Sequence, residues 1–185
     1  NYGSSGIYWT QDDITDTLYI AAGQAYIPPG RFRFANMSVL YGTSSSHDLS
    51  AYFMISAGKY YDGWNYSFSV FPTLNIGTSL STSLTYYLDY VNFPSRSMKF
   101  TNHIVGLKGT MTLTTKTSLS AYIQYNTAVN KALTNIRFRF NPREGNDFYL
   151  VYDEGLNTRL TSEIPHLPFS SGRTILAKYT YTFRF

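Results

Sequence analysis

Residues Arg173–Phe185 read RTILAKYTYTFRF, and the alternation of apolar and polar residues in this stretch decides the fold class. One set of alternate residues is Ile175, Ala177, Tyr179, Tyr181, Phe183 and Phe185, and the other is Thr174, Leu176, Lys178, Thr180, Thr182 and Arg184. Successive side chains of a β-strand point to opposite faces. The stretch therefore predicts a strand with one apolar, aromatic face and one largely polar face.

The same period of two recurs through the chain, and no segment has a convincing helical period. Further alternating segments lie at 49–57, 64–70, 80–90, 105–113, 118–126 and 135–140. We predict about ten antiparallel strands, several of them near the roughly 9–11 residues with which a tilted strand crosses a bilayer. Strands of soluble proteins are shorter, with about 5–6 residues.

Turn-forming residues separate the predicted strands. The two longest linkers are predicted at Glu154–Gly172 and Asn92–Thr101, and shorter ones at Asn141–Asp147, Thr114–Thr117, Asn75–Ser79 and Thr43–Asp48. Bacterial membrane barrels have short turns at one end and longer loops at the other. The order of these linkers follows that pattern, except at Asp62 and at residues 128–131.

Composition excludes several classes of protein. The 185 residues include 18 Tyr and 13 Phe but no Cys, so disulfides and thiolate metal sites are excluded. The net charge is +4, and its basic residues are scattered, so we expect no nucleic-acid partner. No stretch approaches the roughly 18 apolar residues of a transmembrane helix. The first residue, Asn1, fits an exported chain that has lost a signal peptide, or a piece of a longer chain.

The contrast between the two strand faces indicates a membrane. Bulky apolar residues occupy one face, whereas Ser, Thr, Asn, Gln, Lys and Arg dominate the other, as expected for lipid outside and a wet lumen inside. The sequence therefore predicts an all-β, antiparallel, up-and-down transmembrane β-barrel of about ten strands in one domain (1–185), or the C-terminal part of a larger barrel. The predicted aromatic girdle at the membrane surfaces is Tyr179, Tyr181, Trp64 and Tyr66.

Charged residues on the polar faces are candidates for a functional lumen. They are Lys108, Arg137, Arg139, Lys178, Arg184 and Asp89. Interior salt bridging explains such charges without a function, while selectivity for an anion or a sugar phosphate is the functional interpretation. The predicted loop 154–172, with Pro165, Leu167, Pro168 and Phe169, either packs on itself, docks a partner or folds into the lumen.

The end of the chain resembles the C-terminal signature of bacterial outer-membrane proteins. The motif YTYTFRF ends in Phe183 and Phe185. In that class the terminal Phe helps the barrel-assembly machinery to recognise its substrate, so the resemblance implies that machinery as a partner. The predicted location is the outer membrane of a Gram-negative bacterium, with outer-membrane lipids and possible outer-membrane or lipoprotein subunits as further partners.

The order of several motifs resembles one family. These motifs are YIPPGRFRF (26–34), SAGKYYDGWNYSFS (56–69), LTYYLDYVNFP (84–94), HIVGLKGTMTLTTKTSLSAYIQYN (103–126) and NIRFRFNPREGNDFYLVYDEGLNT (135–158). Together they resemble the C-terminal outer-membrane barrel of a bacterial family of uncharacterised function, whose longer members carry a family-9-like carbohydrate-binding module before the barrel. The resemblance covers about the last 160 residues. It implies no catalytic residue, and the chain lacks that module, so sugar binding does not transfer.

We find no sequence pattern for catalysis, and we expect no cofactor and no metal. His47 adjoins Asp48 in a predicted turn, His103 is expected at a membrane interface, and His166 lies in the long loop. Neither G-x-S-x-G nor a phosphate-binding Gly pattern is present. The main hypothesis is therefore a non-enzymatic structural, binding or complex-forming barrel. The alternatives are a narrow porin-like pore with a basic lumen, a soluble ligand-binding β-barrel, and an outer-membrane hydrolase that uses His166 or Asp153.

Overall fold

Antiparallel strands make up nearly all of the computed structural model, which describes residues 1–161 and 164–183. The described residues contain two 3-10 turns, Ala21–Gly23 and Pro94–Arg96, and no α-helix. The strands are β1 (Tyr2–Ile14), β2 (Leu18–Ile20), β3 (Ala25–Ile27), β4 (Gly30–Gly42), β5 (Leu49–Tyr60), β6 (Gly63–Ile76), β7 (Leu80–Phe93), β8 (Met98–Thr114), β9 (Thr117–Asn126), β10 (Lys131–Arg143), β11 (Asn146–Asn157) and β12 (Ser170–Tyr181).

Ten of the strands form one sheet in the order β1-β4-β5-β6-β7-β8-β9-β10-β11-β12. The prediction of an all-β protein with about ten antiparallel strands is confirmed. The sheet is a meander apart from the insertion of β2 and β3, which pair only with each other. In the described part of the chain β1 and β12 are not paired, so the sheet is not closed into a barrel.

The chain divides into two compact units. The first contains Asn1–Pro72, Thr85–Val105 and Asn126–Val129, and the second contains Thr73–Leu84, Gly106–Tyr125 and Asn130–Phe185.

In the first unit, the strand ladders place the large apolar side chains on one face. Ile7 lies opposite Met37, and Val39 lies between Ser5 on β1 and Ile55 on β5. Trp9, on the same face, is 82% exposed. We call this the apolar face. The opposite, polar face carries Asp12, Asn36, Ser38 and Ser56, with aromatic rings near one end.

The second unit has the same division of faces. The apolar face of β10, β11 and β12 carries Phe138, Phe140, Phe148, Leu150, Tyr152, Ile175, Ala177 and Tyr179. The polar face carries Asn135, Arg137, Arg139, Asp153, Thr174 and Lys178. Because the period of a strand is two residues, one register fixes the direction of every side chain in the ladder.

The hydrophobic core of the first unit lies under the hairpin of β2 and β3. Ala25, Ile27, Val91 and Phe93 are fully buried, and Ile14 and Phe32 pack against them. Since Ile14 and Phe32 belong to the polar-face set of β1 and β4, the hairpin covers that face. Among the described residues these four are the only buried apolar side chains.

Two glycines allow close approach between strands. A Cβ on Gly63 would lie 2.4 Å from the carbonyl oxygen of Asn92 and 2.6 Å from the ring of Phe93. A Cβ on Gly58 would lie 2.4 Å from the carbonyl oxygen of Ala35. Any larger residue at either position would displace backbone.

The two longest predicted linkers are shorter in the structure. The linker predicted at Asn92–Thr101 spans only residues 94–97, because β7 continues to Phe93 and β8 begins at Met98. Phe93, Met98 and Phe100 belong to the core region under the hairpin, which holds these residues in strands. The loop after β11 begins after Asn157, because Glu154 pairs with Arg173 and Gly155 with Gly172 in the ladder.

We expect Phe93→Ala to destabilise the hairpin, because it removes a ring that is 0% exposed. A buried Phe→Ala change costs about 3–5 kcal/mol. Limited proteolysis should then cleave residues 18–27 faster than in the wild type. Phe53→Ala is the matched control, because that ring is on the apolar face and 37% exposed. Equal cleavage of the two variants would contradict the assigned core.

Candidate functional site

The charged residues predicted for a lumen lie on the polar faces, but in different surroundings. Arg137 lies opposite Val151, and Arg139 lies opposite Tyr149, which is in turn opposite Lys178. Lys108 is on β8 of the same unit. Asp89 belongs to the first unit, where its Oδ1 accepts a hydrogen bond from Ser67 Oγ at 2.7 Å. Arg184 lies outside the described residues.

Arg139 is neutralised within its own unit. Its Nε and Nη2 donate to Asp147 Oδ1 at 2.9 and 2.8 Å, and Asn141 Nδ2 donates to the same oxygen at 3.0 Å. This supports interior salt bridging for this one residue. The pair lines a polar groove of about 610 Å³, together with residues of β8, β9, β10 and the turns that connect the strands.

Lys108 and Arg137 line a second groove, of about 470 Å³, which we call the basic groove. Its walls come from three strands, and the lining residues are Lys108 and Thr110 of β8, Ser120, Ala121 and Tyr122 of β9, and Asn135 and Arg137 of β10. The four ion pairs of the described residues involve Arg31, Arg96, Arg139 and Arg173. In that part of the chain, Lys108 and Arg137 therefore have no carboxylate partner.

The carboxylates of Asp153 and Glu154 form hydrogen bonds with residues other than Lys108 and Arg137. Asn135 Nδ2 donates to Asp153 Oδ1 on the polar face. The next residue, Glu154, is on the opposite face, where Arg173 Nη2 donates to its Oε1 at 2.7 Å. The carboxylates of Asp153 and Glu154 therefore lie on opposite faces of β11. No group of three or more metal-binding side chains occurs in residues 1–161 and 164–183.

The predicted girdle residues all lie on apolar faces at strand ends. Tyr179 and Tyr181 are near the end of β12, and the ring of Tyr181 packs against Phe183 with centroids 4.6 Å apart. Trp64 and Tyr66 are near the start of β6. The Nζ of Lys59 lies 4.1 Å from the ring centroid of Trp64.

The predicted assembly signal consists of Phe183 and Phe185. Phe183 is 73% exposed, and Phe185 lies outside the described residues.

A clamp at the hairpin was not anticipated from the sequence. Arg96, from the turn between β7 and β8, donates to Asp62 Oδ1 at 2.6 Å and to the carbonyl oxygen of Tyr26. Its guanidinium also lies 4.2 Å from the ring centroid of Phe93. One side chain thus ties β3, the β5–β6 turn and the core together. Pro28-Pro29-Gly30 is a turn signal in the sequence, but nothing in it identifies Arg96.

Tyr61, in the turn between β5 and β6, adds a second link to this region. Its Oη donates to Asp12 Oδ2 on β1 at 2.9 Å. Burial, together with the hydrogen bond to Asp12 and the charge of Asp12, raises the pKa of Tyr61 to about 12. The protonated phenol is therefore the form that the fold stabilises.

We expect Tyr61→Phe to lower stability by about 1–2 kcal/mol at pH 8, because it deletes a hydrogen bond to a charged group. The folded pKa is raised above the unfolded value near 10.0, so the contribution is complete below pH 10 and is lost as pH rises through 12. Urea unfolding at pH 8 and at pH 12 should show the gap between the two proteins closing. Tyr8→Phe, on an exposed tyrosine of β1, is the control. A gap that stays constant would contradict the role of this phenol.

Comparisons with known proteins find no relative of this chain. The chain matches no protein-family model, no curated protein and no solved structure. Within residues 1–161 and 164–183, no helix has the length and apolar character needed to cross a membrane.

Proposed function

We propose that this chain is an outer-membrane β-barrel, either a complete up-and-down barrel of ten strands or the C-terminal part of a larger one. It serves as a structural, binding or complex-forming component of the bacterial outer membrane and not as an enzyme. Its partners are outer-membrane lipids, the barrel-assembly machinery through the C-terminal Phe185, and other outer-membrane or lipoprotein subunits. The motif order that resembles the outer-membrane family described above agrees with this proposal.

The observation that carries the proposal is the exposure of the apolar face. Outside the small core under the hairpin, the large apolar side chains of the described strands are exposed or only partly buried. Leu49, Phe53 and Ile55 on β5, and Ile175 and Tyr179 on β12, are examples. In water, a continuous apolar surface of this kind promotes association. Hydrocarbon is a solvent in which it is stable.

Charged and polar pairs follow the apolar residues near the ends of the strands, as expected at the surface of a membrane. In the first unit, Trp9 and Ala35 are followed by Gln11 with Arg33 and by Asp13 with Arg31, which form cross-strand hydrogen bonds. In the second unit, Tyr152 and Ile175 are followed by Glu154 with Arg173. From Ile175 the apolar side chains continue to Phe183, a length close to the roughly 9–11 residues of a tilted membrane strand.

A membrane barrel requires that the two edge strands of the sheet also be paired. In hydrocarbon every peptide group needs a partner, so a sheet crosses a membrane only when its edges are closed. With an even number of antiparallel strands, the first and last strands run in opposite directions. β1 and β12 therefore have the polarity to pair with each other, or with the strands of a longer chain.

A narrow pore with a basic lumen is the second candidate function. The basic groove favours it, because Lys108 and Arg137 on the polar face lack a carboxylate partner in the described residues. Rings of Lys and Arg select anions in pores.

We expect purification to distinguish a membrane barrel from a soluble one. The membrane barrel should require detergent for extraction, and its mobility in gel electrophoresis should change on heating, because the closed sheet resists unfolding. A monodisperse protein in detergent-free buffer would overturn the proposal. Binding of an apolar dye inside such a monomer would select the soluble ligand-binding barrel.

We expect Ala177→Arg to be much more harmful than Leu176→Arg. The two residues are consecutive on β12 and exposed, but Ala177 is on the apolar face and Leu176 on the polar face. An arginine facing lipid costs about 2–4 kcal/mol at the middle of the bilayer and about 0–1 near its surfaces, so a loss of about 1–3 kcal/mol is expected for Ala177→Arg. Urea unfolding in lipid vesicles measures both variants. Equal stabilities would argue against a lipid-facing surface.

A further inference from the structure

The basic groove has the properties of a binding site for a small anion. Its volume of about 470 Å³ is within the range of roughly 300–1,000 Å³ for small-molecule sites. It lies on the polar face of three consecutive strands, β8, β9 and β10, in one compact unit. Regular strands hold its side chains, so the site does not depend on a loop.

Neither cation of the groove forms an ion pair in the part of the chain that the structure describes. Lys108 supplies up to three donors and Arg137 up to five in a planar fork, and neither forms an ion pair or a side-chain hydrogen bond within the described residues. Asp153, whose carboxylate accepts from Asn135, makes no ion pair with either cation. Arg139, by contrast, already shares its donors with Asp147. The donors of these two cations are therefore available to an anion.

The remaining lining residues suit a sugar attached to that anion. Thr110 and Ser120 offer hydroxyl groups, and Tyr122 offers an aromatic ring whose Oη donates to Gln124. Hydroxyls can donate to and accept from sugar hydroxyls. A planar guanidinium forms paired hydrogen bonds with a phosphate or a carboxylate.

We propose that the basic groove binds a monosaccharide bearing a phosphate or a carboxylate. The anionic group lies between Arg137 and Lys108, and the sugar hydroxyls bond to Thr110 and Ser120. The inference goes beyond the proposed function, since it depends only on three strands of one unit. It holds whether the sheet is a complete barrel, part of a larger one or a soluble protein.

Calorimetric titration of the full chain, in the detergent or buffer that keeps it folded, tests the proposal. The probes are glucose 6-phosphate, glucuronate, inorganic phosphate and glucose. We expect the first two to bind, glucose not to bind, and affinity to fall as salt rises, because screening weakens charge-assisted contacts. Binding of only the phosphate compounds would assign the anionic group to phosphate, and binding of only glucuronate would assign it to carboxylate. Failure of both sugar anions to bind would overturn the proposal.

Matched variants locate the site. Lys108→Gln and Arg137→Gln should each weaken binding of the sugar anion about tenfold or more, as expected for the loss of a hydrogen bond to a charged group. Arg137→Lys should have an intermediate effect, because it keeps the charge and loses the planar fork. Lys178→Gln removes the same charge from the polar face of β12 outside the groove and should leave affinity within about twofold.

Two results would contradict the assignment. One is an equal loss of affinity in Lys178→Gln, which would indicate attraction by net charge alone. The other is unchanged affinity in both groove variants, with circular dichroism and gel mobility showing that they are folded. Requirement for detergent is a separate measurement, so failure of sugar-anion binding and failure of the membrane proposal give different results.

Discussion

The main constraint on this structure is that its strands form backbone hydrogen bonds while most of their apolar side chains stay unburied. The strands of the large sheet are hydrogen-bonded to their neighbours, yet the side chains on their apolar faces are largely exposed. Among described residues the only buried apolar side chains are Ala25, Ile27, Val91 and Phe93. A soluble sheet covers its apolar face with helices or with another sheet. A lipid surface removes the need for that layer, and the stability of the strands then comes from closed hydrogen-bonded pairing.

The polar face supports the hairpin in the first unit and carries the proposed binding groove in the second. In the first unit it supports the hairpin, and Arg96 fastens that hairpin by an ion pair with Asp62 and a hydrogen bond to the carbonyl of Tyr26. In the second unit, Arg139 and Asp147 neutralise each other, whereas Lys108 and Arg137 do not have such a partner among described residues. The charges that looked equivalent in the sequence thus differ in what they can bind.

Sequence periodicity was sufficient for β5 to β10 and for β12, but no alternating segment was identified in β1, β4 or β11. The alternation of Ile175, Ala177 and Tyr179 with Thr174 and Lys178 survives intact in β12, because the register with β11 is regular there. It gave too long a linker at Asn92–Thr101, because only residues 94–97 lie outside the strands and packing of Phe93 and Phe100 holds the flanking residues in β7 and β8. It also could not distinguish Arg137 from Arg139. That difference arises from Asp147, which the turn between β10 and β11 brings back beside Arg139.

Gly58 has a consequence for the geometry of the large sheet. Backbone of the neighbouring strand, at Ala35 and Asn36, occupies the space that a side chain at this position would need. Glycines in strand interiors mark bends and places where another backbone comes close. The backbones of β4 and β5 therefore approach each other closely at this residue. Their separation here depends on the absence of one carbon atom.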